Sequence, residues 1–269
     1  MREFQFYIVP TPIGNIADIT LRAIEVLKNV DLIACEDTRV TQKLLNHYDI
    51  KTKSVSYHKY NERERVEYFL RVLGEGKTIA LVSDAGTPMI CDPGGVIVQE
   101  LSKAGYSITS LPGACAVTTF LSQIPREDEE FTFVGFMSRG EKQIMEIVKR
   151  FSANNLVFYE SPQRILNTLK IIQRVRPNAI ISLGRELSKL FEEVLTDDIS
   201  TVIEHYQDEI KGEIVCMVHR EKNVQDIEVT NKIKALKAKG FRDKDISVIL
   251  AELFGMNKND VYKKSLELP

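Results

Sequence analysis

Cysteine is scarce and scattered in this chain. The four residues, Cys35, Cys91, Cys115 and Cys216, form no CxxC pair and have no histidine at metal-ligand spacing. A disulfide framework and a zinc site are therefore unsupported, no metal is expected, and the thiols read as buried and reduced. Long apolar runs are also missing. No stretch approaches the ~20 residues needed to span a bilayer, and the apolar part of MREFQFYIVPTPIG is too short for a signal peptide. A cytoplasmic protein with no membrane partner is expected. Neither GxGxxG nor GxxxxGK[ST] occurs, which removes the main support for a dinucleotide or P-loop nucleotide site. Excess positive charge is lacking too: the formal net charge is −2, so any grip on nucleic acid must be local.

What is present is ordinary for a globular protein. The 269 residues, 43% hydrophobic and 28% charged, suffice for two domains with real cores. Through the first 120 or so residues, the β-branched and aromatic runs FQFYIV, DLIAC, SVSY, KTIALVS and YSITSL alternate with helical patterns. That alternation predicts a mostly parallel α/β layer. After LPGACAVTTFLSQIPREDEE the acidic, proline-containing stretch from Pro125 to Glu130 reads as a linker. The runs FTFVGF, NLVFYE, NAIISLG, LFEEVLT and GEIVCMVHR then predict a second, mixed sheet. The tail reads as three helices, the last two joined at Gly255 with helix-turn-helix-like spacing. It holds nine Lys and Arg against seven Asp and Glu. The expected organisation is an N-terminal α/β domain over 1–122, a second α/β domain over 123–222 and a helical domain over 223–269.

In an open parallel sheet, ligands bind beyond the carboxyl ends of the strands, so the loops there carry the search. VPTPIGNIADIT forces a tight path, with Thr20 able to cap the next helix. CEDTRVTQ brings Glu36, Asp37 and Arg39 together, more ionisable groups than capping by Asp37 or Thr38 requires. SYHKYNERER offers His58, Asn61 and Glu62 either as a solvated helix start or as a polar patch for a phosphate or hydroxyl. LVSDAGTPMICDPGG combines special backbone residues at unusual density, and LPGACAVTT lets a ligand approach the backbone at small residues. In the second half, FYESPQRI sets Glu160, Ser161 and Arg164 at a strand-to-helix junction, with Ser161 a natural N-cap before Pro162. LGRELSKLFEEV adds Arg185, Glu186, Lys189 and Glu192, which serve equally well as structural salt bridges.

Eight of these motifs, TPIGNIADIT, ACEDTRVTQKLL, SYHKYNE, LVSDAGTPMICDPGG, LPGACA, FYESPQR, GRELSK and KGEI, run in order from residue 11 to residue 214. Together they resemble the bacterial 16S ribosomal RNA cytidine 2′-O-methyltransferases, a branch of the tetrapyrrole-methylase-like fold. The resemblance implies two α/β domains with an S-adenosylmethionine cleft between them, and a small C-terminal helical domain. It also implies methylation of a cytidine ribose in the decoding region of the 30S subunit, and a homodimer. Carried over residue by residue, the cofactor pocket would comprise Pro12, Ser83, Asp84, Ala85, Gly86, Met89, Ile90, Cys115, Ala116, Phe158, Tyr159 and Leu187, with Gly212 and Glu213 as weaker candidates. The GxGPGD and GGDP loops of the tetrapyrrole branch are replaced here by PTPIGN and SDAGTP, which points away from a porphyrin substrate.

A 2′-hydroxyl is a poor nucleophile, so a proton acceptor is expected. The candidates by residue chemistry are Glu36, Asp37, Glu62, Glu160 and Lys189, together with His58 and Glu186. Candidate RNA contacts are Arg39, His58, Asn61, Arg164 and Arg185, supported by the basic segment Lys51 to Arg71 and by Lys232, Lys234, Lys237, Lys239, Lys263 and Lys264 of the tail. Two rival readings are a small-molecule methyltransferase of the tetrapyrrole type, and a non-enzymatic RNA- or DNA-binding factor acting through the helical tail.

Overall fold

The computed structural model describes residues 4–126, 129–207, 210–221 and 224–268. Part of the expected linker, residues 127 and 128, lies outside them. Among the described residues, ten strands form two five-stranded sheets. The first contains β1 (Phe6–Ile8), β2 (Leu32–Cys35), β3 (Ser54–Ser56), β4 (Ile79–Val82) and β5 (Ile108–Ser110) in the order β3-β2-β4-β1-β5, and every pairing is parallel. β2 and β4 are buried at every position, as a sheet covered on both faces requires.

Helices α1 (Leu21–Asn29) and α2 (Thr38–His47) cover one face with Ala23, Leu27, Leu44 and Leu45. Helices α3 (Glu62–Gly74) and α4 (Gly95–Lys103) cover the other with Phe69, Leu73, Ile97 and Leu101. The helix starts follow capping chemistry: Thr20 Oγ1 accepts from the Ala23 N–H, and Asp37 accepts from the Arg39 N–H.

The second sheet holds β6 (Phe131–Phe136), β7 (Asn155–Glu160), β8 (Ile180–Arg185), β9 (Glu193–Asp198) and β10 (Ile214–Val218) in the order β6-β7-β10-β8-β9. Only β6 and β7 are parallel, so the sheet is mixed as expected. One face packs on α6 (Glu141–Arg150), α7 (Ile165–Val175) and α8 (Ile199–His205). The opposite face receives α5 (Ala116–Leu121), where Val117, Phe120 and Leu121 meet Val157, Val215 and Met217, with Ile13 of the first β-loop in the same cluster. This shared apolar cluster ties the two sheets together.

Ser161 does not cap α7. A turn over 162–164 intervenes, and the helix starts at Ile165 after Arg164. The Ser161 carbonyl accepts from the Arg164 and Ile165 N–H groups, and its own N–H is taken by the Glu160 carboxylate.

The tail forms α9 (Val224–Ala238), α10 (Asp243–Phe254) and α11 (Lys258–Glu267) around Val229, Ile233, Ile246, Leu250 and Val261, with Gly255 in the left-handed conformation between the last two. Among the described residues no helix is long and apolar enough to cross a membrane.

Candidate active site

A cleft of about 390 Å³ opens where the carboxyl ends of the first sheet's strands meet the second sheet. From the first sheet it is lined by Ile13 after β1, Asp84 to Thr87 and Ile90 to Asp92 after β4, and Cys115 and Ala116 after β5. From the second come Phe136, Tyr159 to Pro162, Leu187 and Gly212 to Val215.

The loop after β4 owes its shape to backbone bonds. Gly86 and Thr11 exchange N–H···O bonds at 2.9 and 3.0 Å, and Gly86 adopts a φ of +79°, which glycine takes without steric cost. Ser83 is buried and directs its hydroxyl to the Ala85 and Gly86 carbonyls. Met89 and Cys91 both hold positive φ, a costly arrangement that clusters at functional loops. Between them Ile90 is presented to the cleft.

Charge in the cleft is one-sided. Asp84, Asp92, Glu160 and Glu213 line it, whereas among the described residues no Lys, Arg or His does. The Asp84 carboxyl is pushed up by loss of solvent, against the pull of the Asp37 N–H that donates to it at 3.0 Å. Glu36 is raised by burial and by the Asp84 charge. Asp92 is pushed up to about 6 by burial and by the neighbouring charges of Glu36 and Asp84, with Ser83 bonding in opposition. Burial and the two nearby thiols, Cys115 and Cys91, raise the Tyr159 phenol.

Eight of the twelve residues expected around a cofactor line the cleft: Asp84, Ala85, Gly86, Ile90, Cys115, Ala116, Tyr159 and Leu187. Four do not. Phe158 is fully buried in the core beneath α6–α8, because alternate residues of a strand face opposite sides and Tyr159 takes the cleft side. Met89 packs against the α3–α4 core. Ser83 sits under its loop, and Ile13 takes the lining position in place of Pro12. Gly212 and Glu213 both line the cleft.

Several expected catalytic or RNA-contacting groups are engaged elsewhere. The Glu62 carboxylate accepts from the Tyr57 hydroxyl and the Gly94 N–H, both at 2.9 Å, and so braces the start of α4. Asn61 closes its own turn through the His58 N–H and the Ser56 carbonyl. Arg164 donates to the Met137 and Ser138 carbonyls and pairs with Glu160, whose other oxygen holds the Ser161 N–H. Arg185 pairs with Glu193 at 2.6 Å. Lys189 sits between Glu186 and Glu213. Lys237 reaches the Leu268 carbonyl and Asp243, which locks the tail's own helices.

Asp37 caps α2 and chelates Arg39, which holds its carboxyl well below the usual range. The Arg39 side chain remains 88% exposed. His58 faces the Glu36 charge, and its Nδ1 is buried with no hydrogen-bond partner. The lining residues that the sequence did not single out include Ile13, Asp92 and Phe136. Asp-Pro-Gly reads as a turn, and only the fold brings that aspartate to Glu36.

A model of the tetrapyrrole (corrin/porphyrin) methylases matches residues 5–203. The ribosomal RNA small subunit methyltransferase I of Escherichia coli O157:H7 is 39% identical, over 98% of this chain and 95% of its own length. That of Halalkalibacterium halodurans is 40% identical, over 95% and 92%. Among solved structures, a diphthine synthase superposes with a TM-score of 0.63 at 13% identity, covering 83% of this chain and 93% of its own. A Thermus thermophilus uroporphyrin-III C-methyltransferase complexed with S-adenosylhomocysteine gives 0.55 at 19% identity, over 79% and 96%. The chain belongs to the tetrapyrrole methylase family, in the branch of the ribosomal RNA small subunit methyltransferase I proteins.

Proposed function

We propose that this cleft binds S-adenosylmethionine and that the chain transfers a methyl group to the ribose 2′-hydroxyl of a cytidine in the decoding region of 16S ribosomal RNA. The observation that carries the reading is the charge of the lining: Asp84 and Asp92 face the cleft with no cation of their own, and no basic side chain lines it among the described residues. Such a site suits a sulfonium cation and repels the phosphates of a nucleotide cofactor. The relatives' names supply the substrate class.

The cofactor's electrophilic methyl group is the one chemical element the chain does not supply. The protein's own residues do the rest. Asp84 and its raised neighbours Glu36 and Asp92 are stabilised as anions when a cation arrives, which gives binding energy beyond that of the apolar walls Ile13, Ile90, Tyr159 and Leu187. The enclosed geometry aligns the reacting groups, a gain of roughly 7–11 kcal/mol when two partners are held in line. Asp92, near-neutral in affinity for protons and inside the cleft, is the best-placed acceptor for the hydroxyl proton, with Glu36 and His58 beyond it. Arg39, exposed and paired with Asp37 at the start of α2, is the retained candidate for an RNA phosphate.

The chain acts in the cytoplasm as a homodimer in this reading. The exposed Leu21, Leu190 and Phe191 support an association surface, since the Ser188 hydroxyl bonds to Asp18 and draws the two loops together.

The test is incubation of the purified protein with methyl-labelled S-adenosylmethionine and either 30S subunits or naked 16S RNA, followed by nucleoside mass spectrometry. Label in 2′-O-methylcytidine is expected. Label on a base, or none on RNA with transfer to a tetrapyrrole instead, would overturn the reading.

A further inference from the structure

β6 is an edge strand with an irregularity of direct consequence. Phe133 stands opposite Val157 on β7, yet two residues further along β7, Tyr159 is opposed by Phe136 rather than by residue 135. Three residues of β6 therefore match two of β7, the signature of a β-bulge. Its extra residue is Gly135, with a φ of +72° that a side chain would make strained. In a regular strand Phe136 would follow Val134 onto the face buried under α6–α8. The bulge turns it over to the cleft face, where its ring lies 5.5 Å from that of Tyr159.

The turned-over ring is 63% exposed, an unfavourable position for a phenylalanine that no core contact explains. It is nevertheless held. The next two carbonyls, Met137 and Ser138, both accept from Arg164 Nη2, at 3.2 and 2.6 Å, and Arg164 is itself anchored on the buried Glu160. The Met137 N–H donates to the Tyr159 carbonyl at 3.0 Å. One side of the Phe136 ring is backed by Tyr159, and much of its surface is open at the mouth of the cleft.

We propose that Phe136 is the platform on which the base of the nucleotide undergoing methylation stacks, and that it positions the ribose over the cleft. The inference rests on the reading of the chain as an RNA ribose methyltransferase. A ribose delivered into the cleft leaves its own base within one nucleotide's reach of the mouth, and RNA bases that are recognised singly are splayed out onto aromatic faces. The two lining carboxylates without a cation of their own, Asp84 and Asp92, lie on the opposite, first-sheet wall, whereas Glu160 and Glu213 on this wall are paired with Arg164 and Lys189, so this ring is available to the substrate.

The test uses full-length Phe136→Ala, Phe136→Leu and Phe136→Trp proteins, with KM for 30S subunits, kcat, and the calorimetric Kd for S-adenosylhomocysteine as readouts. Loss of one stacked base predicts a KM increase of roughly 5- to 150-fold for the alanine protein. Leucine should fail to restore it, tryptophan should restore it, and the Kd should stay within about two-fold in all three. An unchanged KM in the alanine protein, or full rescue by leucine, would overturn the stacking role. So would a weakened Kd accompanied by a normal KM, which would assign the ring to the cofactor. Absence of RNA methylation by the unsubstituted protein would remove the underlying reading instead, and that control is read separately.

Discussion

On the first-sheet side of the cleft, burial raises the proton affinity of Glu36, Asp84 and Asp92, the Asp84 charge raises Glu36 further, both of those charges raise Asp92, and none of the three takes part in an ion pair among the described residues. Across from them, acids of the second sheet and its loops hold partners: Glu160 is answered by Arg164, Glu186 and Glu213 by Lys189, and Glu193 by Arg185 and His205. The pairing matters more than the number of charges. Acids that hold a cation of their own fix loops and helix starts. Acids left facing each other in a cleft store repulsion that a cationic ligand relieves.

The sharpest way to break this contrast is to remove one acid from each wall. Asp84→Ala should weaken S-adenosylmethionine binding by about 100-fold or more while leaving the melting temperature nearly unchanged, since the Asp84 carboxylate anchors only the Asp37 N–H. Calorimetry and thermal unfolding on the same sample decide this. Glu160→Ala should do the reverse. It strips partners from the Thr168 hydroxyl, the Ser161 N–H and Arg164 around a carboxylate that is almost wholly buried. Breaking such a buried pair costs about 3–5 kcal/mol, at roughly 2–4 °C per kcal/mol for a chain of this size. Equal effects of the two substitutions on both readouts would erase the distinction between the walls.

Asp92 sharpens the same comparison through pH. Its folded-state value of about 6 lies above the ordinary aspartate value, so the folded protein binds more protons than the unfolded chain over the interval between them. Stability from this group is therefore lost as pH rises from about 4 through about 6, and it is absent at pH 8. Asp92→Asn should raise the melting temperature at pH 8 by about 2–4 °C, the shift for ~1 kcal/mol, and lower kcat by roughly 10²- to 10⁴-fold, as removal of a proton acceptor does. In the unsubstituted protein kcat/KM should rise with pH with a midpoint near 6. A flat profile would move the acceptor elsewhere. The smallest effect is expected from Arg39→Ala, whose exposed, solvent-screened pair with Asp37 adds little to stability. RNA affinity should fall modestly and its salt dependence should become shallower by about one unit.

How much of this was legible in the sequence follows from how local each cause is. Alternating β-branched runs and capped amphipathic helices lie within one element, so all ten strands and the helices over 21–103 could be read directly. Asp92 could not, because its proton affinity depends on Glu36, far away in sequence. Phe158 was misplaced although strand alternation forbids it from sharing a face with its neighbour Tyr159. Glu62 and Arg164 looked reactive by type, and only three-dimensional contacts show them bonded to backbone. The glycine in FTFVGF was a readable hint of the bulge, since glycine inside a strand often marks one.

The position of β10 has a consequence for biosynthesis. It lies between β7 and β8, yet among the described residues it is the last strand in chain order, pairing Ile214 with both Glu160 and Arg185. A nascent chain can complete the all-parallel sheet as soon as residue 110 has emerged, but the second sheet keeps two unpaired inner edges until residue 218 is available. Open edges of that kind invite pairing with other chains. Ribosome-released fragments ending before Ile214 should therefore aggregate, as sedimentation would show, whereas fragments ending after Val218 should remain dispersed. The strand that shapes one wall of the cleft is thus also the latch that closes assembly.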